Sequence, residues 1–331
     1  MTTVSVVTTF YNASSTIRGT IESIIKSDFD DFEIILVDDG STDTSTEIIS
    51  EINDSRIKLY KPGRVGRSIA LNIGIDKAVG KYIAILDADD LCLRSRLSIQ
   101  VSMLDSHPEY SLVYSNAELI DFNGDLIGFT SFPECHDEIV KCLFDLNPFP
   151  HSSVMYRREC ALKIGGYNTR CEKSIDYNFY LELLSEEVFF KGVNDPLIQL
   201  RNHENSWGKN DTKALQIRFG ILGLINFYQK QHDLQGILEL DDQNWKSTKL
   251  IFDFWFGKMR FQQQIQAKHL FAGAKNNLRH FDFIKATKKL FDLIGLDPWF
   301  WRYRGCNFIY LRDVKYFIDF LDNKLKNTEK L

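Results

Sequence analysis

The sequence predicts an α/β fold: a mostly parallel but mixed sheet with helices on both faces, followed by a C-terminal all-helical region. Two observations carry the first half of that reading. Strand and helix signals alternate from residue 4 to about residue 86, and the strands are continuous apolar runs, as strands of a parallel sheet covered on both faces are. The second half rests on the chain beyond residue 210, where amphipathic helical segments such as FDFIKATKKLFDLIG succeed one another.

VSVVTTF is a β-branched run and reads as the first strand; Asn12 to Ser15 supply helix-start residues, and Ile17, Ile21, Ile24 and Ile25 recur at helical spacing. FEIILVDD is the second strand, with N-cap candidates from Ser41 to Thr44 ahead of the helix TEIISEI. RIKLY makes a short third strand, RSIALNIGIDKAV a helix, and YIAIL a fourth strand. RLSIQVSMLDSHPE is a helix that ends near Pro108, and SLVYSNAELID with DLIGFT forms a hairpin around Asn123-Gly124, a strong turn pair. A Gly/Asn/Asp-rich stretch at about 202–211 marks a boundary, giving a domain over residues 1–208 and a helical region over 209–331.

With 331 residues, 44% of them hydrophobic and 26% charged, the chain has room for one large domain and a smaller one. The N-terminal MTTVSVVTTF has no basic segment ahead of its apolar run, and the longest apolar stretch, FGILGLINFY, is about half of the ~20 residues needed to span a bilayer, so the expected location is cytoplasmic. Cys92, Cys135, Cys142, Cys160, Cys171 and Cys306 show neither C-x-x-C nor metal-ligand spacing and read as reduced thiols. Charge is uneven. From Lys246 onward 17 Lys and Arg face 8 Asp and Glu, against 23 and 37 before it. An acidic body argues against nucleic acid as the main ligand.

Ligands of a parallel sheet bind at the carboxyl ends of its strands. Three ends of note fall there: Thr9 to Asn12 after the first strand, Asp38 and Asp39 after the second, and Asp87, Asp89 and Asp90 after the fourth. Carboxylates without thiol or imidazole neighbours suit a hard cation, Mg²⁺ or Mn²⁺, which takes one or two carboxylates and completes its shell with substrate phosphates. Acids capping the next helix would account for one of the three, not for all. An aspartyl-phosphate phosphatase would place D-x-D-x-[TV] on the first strand, and this one ends in TTFYN. No G-x-G-x-x-G follows a strand and no P-loop is present.

The ordered series VSVVTTFYN, FEIILVDDGSTD, ALNIGIDKAVGKYIAILDADD, GGYN and SIDYNFYLELL resembles the inverting family 2 glycosyltransferases, whose GT-A fold is a Rossmann-like domain binding nucleotide-diphospho-sugars. The likeness covers roughly residues 3 to 205. It implies that Thr9 and Tyr11 line the nucleoside pocket, that Asp39 bonds the base or ribose, and that Asp38 serves its own loop. It makes Asp89 the direct metal ligand, with Asp87 on the ribose or a metal-bound water, and Asp90 a supporting residue or helix cap. Asp176 takes the position of the general base, although Ile175 stands where the family carries Glu. His151 falls near the sugar, and His203 with Ser206 resembles the segment that closes over the diphosphate or joins the metal. Arg67 opens a helix within reach of a phosphate. Leu71 replaces a family Arg, so the match in that helix stops at Asn72.

The activity implied is transfer of one sugar, with inversion, from a nucleotide donor, UDP-linked, to a hydroxyl of a glycan or lipid-linked glycan acceptor in polysaccharide or cell-surface glycan biosynthesis. The cofactor implied is Mn²⁺ or Mg²⁺. The alternative is a carbohydrate-binding or scaffolding protein of the same fold that has lost catalysis; Asp39, Asp87, Asp89 and Asp176 standing together weigh against it. In the tail, Trp299, Phe300, Trp301, Tyr303, Phe308 and Tyr310 lie among Arg302, Arg304, Arg312 and Lys315. That mixture suits peripheral contact with the inner face of the plasma membrane, and the bland alternative, aromatics packing the tail onto the catalytic domain, carries more weight.

Overall fold

The computed structural model describes residues 2–202 except 146 and 187, then residues 210–231, 235–243, 245, 246 and 249. These belong to two units divided between residues 209 and 210, and each is described by itself.

In the first unit β1 (Val4–Phe10), β2 (Phe32–Asp38), β3 (Ile57–Tyr60) and β4 (Tyr82–Ile85) form a parallel block in the order β3-β2-β1-β4. β1 and β2 bury every position except the half-buried Thr9, which is why their sequences are apolar without alternation. The crossovers are α1 (Ile17–Ile25), α2 (Ser45–Ser50) and α3 (Arg67–Lys77). α1 buries Ile17, Ile21 and Ile24, one stripe of its surface. α3 lies close against β1 because residue 74 is glycine: a Cβ there would run into the Cγ1 of Val7.

The chain runs β1, β2, β3 in one direction and then returns through α3 to place β4 on the other side of β1. The β1–β4 boundary is therefore a topological switch point, where a crevice opens beyond the carboxyl ends of the strands.

The sheet then becomes mixed, through β5 (Leu91–Cys92), β6 (Tyr110–Ile120), β7 (Leu126–Phe129), β8 (Met155–Arg157) and β9 (Phe189–Arg201). Among the described residues the full order is β3-β2-β1-β4-β8-β6-β9-β5, with β7 paired to β6. β8 runs antiparallel to β4, so the residues that enter β8 sit beside those that leave β4. The hairpin expected at Asn123-Gly124 is present: Gly124 has φ +93° and the Asp121 carboxylate accepts the Asp125 amide at 2.9 Å. Helices α4 (Arg96–Ser106), α5 (His136–Asp145), α6 (Arg158–Lys163) and α7 (Ile175–Ser185) complete the unit. α7 is almost wholly internal, burying Ile175 and every residue from Tyr177 to Leu183.

The second unit opens with α8 (Asn210–Gln231), which buries Phe219, Ile221, Leu222 and Leu224 and spans the apolar stretch FGILGLINFY. Among the described residues no helix is long and apolar enough to cross a membrane. The helical segment FDFIKATKKLFDLIG and the basic aromatic region from Trp299 to Lys315 lie outside the described residues.

Candidate active site

The chain leaving β4 carries Asp87, Asp89 and Asp90 into the switch-point crevice. The Thr20 hydroxyl, fully buried on α1, lies 2.9 Å from both the Ala88 and Asp90 carbonyls, and the Asp87 amide donates to Ser152 Oγ at 3.1 Å. Asp90 is turned inward at 2% exposure. One of its oxygens accepts from the Ser152 hydroxyl and the other from the Arg201 amide at 2.9 Å, while the Arg201 guanidinium reaches the Asp89 carbonyl at 3.0 Å. Burial first, then the nearby carboxylates of Asp89 and Asp87, push the Asp90 carboxyl up to about 8. The expected helix cap is not formed by any of these acids: α4 starts at Arg96 behind Ser95 and its first turn has no side-chain cap.

Asp87 is 29% exposed and forms an ion pair with Arg67 Nη2 at 2.6 Å; His151 Nδ1 lies 3.7 Å from the same carboxylate oxygen. Burial opposes ionisation of Asp87, but the Arg67 guanidinium and His151 outweigh it and hold its carboxyl well below the usual carboxylate range. The charge of Asp87, joined by that of Asp176, raises Arg67 in return. His151 is buried, with Nε2 2.8 Å from the Tyr167 hydroxyl. Arg67, Asp87 and His151, each singled out in the sequence for a separate reason, are thus in mutual contact.

Thr9, Tyr11 and Asp39 come together at the ends of β1 and β2. Thr9 is the half-buried penultimate residue of β1, and Tyr11 follows the strand's last residue. The Asp39 amide donates to Phe10 O at 2.8 Å; its Oδ1 accepts the Val65 and Gly66 amides at 2.8 and 2.7 Å, and its Oδ2 accepts from Arg64 Nη1 at 2.8 Å. The Arg64 guanidinium also lies 3.8 Å from the centroid of the half-exposed Tyr11 ring. Residue 40 must be glycine for this approach: its φ is +79° and a Cβ would stand 2.9 Å from the Arg64 amide. Asp38 serves its loop, accepting the Ser41 amide at 2.8 Å. Asn12, at φ +52°, accepts the Thr42 amide at 2.8 Å, and Asp43 accepts the Ser14 amide at 3.0 Å, so the two loops are stitched together.

Asn72 is engaged with the GGYN loop. Its Nδ2 donates to Tyr167 O at 2.8 Å and its Oδ1 accepts the Tyr167 amide at 2.7 Å, so it fastens the GGYN loop to α3. Asp176 stands in the first turn of α7, behind Ser174 in the left-handed region at φ +52°. Its Oδ2 accepts from Asn147 Nδ2 at 2.6 Å. The segment from Asn147 to His151 thereby touches Asp176 at one end and Arg67 with Asp87 at the other. Four residues of extended chain reach at most about 14 Å, so one short segment contacts both groups of charges. His203 and Ser206 lie outside the described residues.

Four contributors carry no distinct signal in the sequence. Arg64 is hidden inside KPGRVGR, Ser152 follows a more conspicuous histidine, and Arg201 and Asn147 act through contacts distant in the chain. Among the described residues no three His, Cys, Asp or Glu side chains are placed to hold a metal ion by themselves.

A Rossmann-like mixed sheet with an acidic D-x-D at its switch point is the architecture of the GT-A glycosyltransferases. The family described as Glycosyl transferase family 2 matches residues 5–163. An uncharacterized glycosyltransferase of Haemophilus influenzae is 34% identical over 190 residues, which are 56% of this chain and 73% of that protein. The chain belongs to glycosyl transferase family 2. The Escherichia coli UDP-Glc:alpha-D-GlcNAc-diphosphoundecaprenol beta-1,3-glucosyltransferase WfgD is 36% identical over 129 residues, 38% of this chain and 49% of that one. Among solved structures, residues 1–349 of S. aureus TarS with UDP-GlcNAc superpose with a TM-score of 0.56 at 17% identity, covering 88% of this chain and 83% of that one. A Pyrobaculum calidifontis mannosyltransferase in complex with GDP-Man and Mn²⁺ gives 0.52 at 18% identity, covering 88% and 80%. These two likenesses establish the fold.

Proposed function

We propose that this glycosyltransferase moves a sugar from a UDP-linked donor to a hydroxyl of a lipid-linked glycan, with inversion at the anomeric carbon. The observation that carries the reading is the Asn147–His151 segment, which holds Asp176 on one side and the Asp87–Arg67 pair on the other. A donor diphosphate beside Arg67 leaves the opposite face of the sugar open toward Asp176. The acceptor hydroxyl attacks that face, its oxygen bonds to the anomeric carbon as the bond to the diphosphate breaks, and Asp176 takes its proton. The half-exposed Tyr11 ring offers a stacking surface for the base, with Thr9 near it at the end of β1. Asp39 offers a carboxylate to the base or ribose, once Arg64 yields or shares it.

The acidic strand end fits a divalent cation. Asp87 and Asp89 leave β4 two positions apart as oxygen-only donors, the kind a hard divalent cation takes. Asp89, with Asp87, would hold Mn²⁺ or Mg²⁺, which supplies positive charge to the departing phosphates. UDP as the nucleotide and a lipid-linked acceptor draw support from the name of WfgD, and Mn²⁺ from the mannosyltransferase complex. Residues 1–208 then form the catalytic domain and 209–331 a C-terminal helical region, and the work is done on the cytoplasmic side of the membrane.

A panel of UDP-, GDP- and CDP-sugars, followed by thermal unfolding with and without Mn²⁺, tests this. UDP-sugars should raise the melting temperature most, and only with the metal. If no nucleotide sugar stabilises the chain under either condition while free oligosaccharides do, the protein is a carbohydrate-binding relative that has lost catalysis.

A further inference from the structure

We infer that Asn147 is a positioning residue for the proposed base, Asp176, an inference that rests on the function proposed above. The amide Nδ2 of Asn147 donates to Asp176 Oδ2 at 2.6 Å, and the Oδ1 of the same amide is buried with no partner among the described residues. Leaving a buried carbonyl oxygen unpaired is costly. Turning the amide over would not recover that cost, because it would set the carbonyl oxygen against the carboxylate. The amide is fixed in the one orientation that gives Asp176 a donor.

The segment is held so that Asn147 cannot drift. Phe149, 2% exposed, stacks on Tyr114 of β6 with centroids 4.1 Å apart and packs against Tyr180 of α7 at 4.6 Å. Tyr180 stands one helical turn beyond Asp176, so the segment grips α7 at two points a turn apart. At its far end, His151 lies 3.3 Å from Arg67. Asn147 has no titratable group and cannot take a proton itself. It occupies one oxygen of Asp176 and fixes the carboxylate plane, leaving the other oxygen for the acceptor hydroxyl. A base misplaced by about 1 Å loses on the order of 100-fold in rate.

The test compares Asn147→Ala, Asn147→Ser, Asp176→Asn and the Asn147→Ala/Asp176→Asn double variant of the full chain. The readouts are UDP release from UDP-glucose and UDP-N-acetylglucosamine, and crystal structures of the single variants. Asn147→Ala should lower kcat by about 10- to 100-fold with the donor KM and melting temperature close to parental. Asn147→Ser, which keeps a hydroxyl donor, should recover part of the loss. In the Asp176→Asn background Asn147→Ala should cost nothing further. The crystal structure of the Asn147→Ala single variant should show the Asp176 carboxylate in more than one rotamer on an unmoved α7. A parental kcat, a full loss repeated in the Asp176→Asn background, or one unchanged Asp176 rotamer overturns the inference. Full turnover by Asp176→Asn alone would instead remove the reading of Asp176 as the base.

Discussion

Arg67 and Asp87 are paired at 2.6 Å, and the carboxylate that Arg67 neutralises is one of the two assigned to the divalent cation. The Arg67 guanidinium sits on one oxygen of Asp87, and its charge opposes a cation brought to the same carboxylate. Arg67 is therefore expected to turn from Asp87 toward the donor diphosphate when metal and donor enter together. Arg67→Ala should tighten Mn²⁺ binding in the absence of donor by about three- to tenfold, since the competing cation is gone. It should weaken donor binding by about tenfold or more, the loss of one charged hydrogen bond. Mn²⁺ titration followed by electron paramagnetic resonance, with and without UDP, reads both. Weaker Mn²⁺ binding in the variant would mean that Arg67 supports Asp87 instead of competing for it.

Asp89→Asn should leave the fold intact, abolish transfer and weaken UDP binding when Mn²⁺ is present. Without metal, the variant and the parent should bind UDP alike. Calorimetric titration with UDP in Mn²⁺ and in EDTA gives the comparison, and full transfer by the parent in EDTA would end the case for the cation.

Asp43 gives the loops around the proposed nucleoside pocket a pH dependence. Burial pulls its carboxyl upward, but the Ser45 hydroxyl and the Ser14 and Ser45 amides outweigh that and bring it from 3.8 down to about 2. A carboxyl depressed by folding stabilises the folded state above its unfolded pKa, and that contribution fades as pH falls from about 4 through about 2. Because Asp43 is partly exposed, the contribution is about 1 kcal/mol after solvent screening. Asp43→Asn should lower stability by that amount at pH 7 and by about half of it at pH 3, as urea unfolding measures. An equal loss at both pH values would mean that the carboxylate charge is not what holds the loops.

The parallel block was legible because burial on both faces leaves apolar residues at consecutive positions, as in the IILV of β2. Asp87 and Asp89 were legible as acids gathered at the end of a buried strand. The contacts that organise them were not. Arg201 reaches Asp90 across 111 positions and Asn72 meets Tyr167 across 95, and no local pattern encodes either pairing. Asn72 stands in a motif that places it in the chain, while the contacts of its amide with Tyr167 are set by the fold. Asn147 carried no signal of its own, since an Asn before Pro reads as a turn residue, and only the fold brings it to Asp176.

Inverting transfer at this site requires that Asp176 act in the chemical step and not in donor binding. Single-turnover transfer from UDP-sugar by Asp176→Asn, with donor affinity measured on the same preparation, is the most direct test. Donor affinity should remain within about twofold of parental while transfer slows at least ~100-fold, the scale of a lost general base. Collapse of donor affinity with transfer per bound donor unchanged would contradict the proposed mechanism and assign Asp176 to the nucleotide pocket.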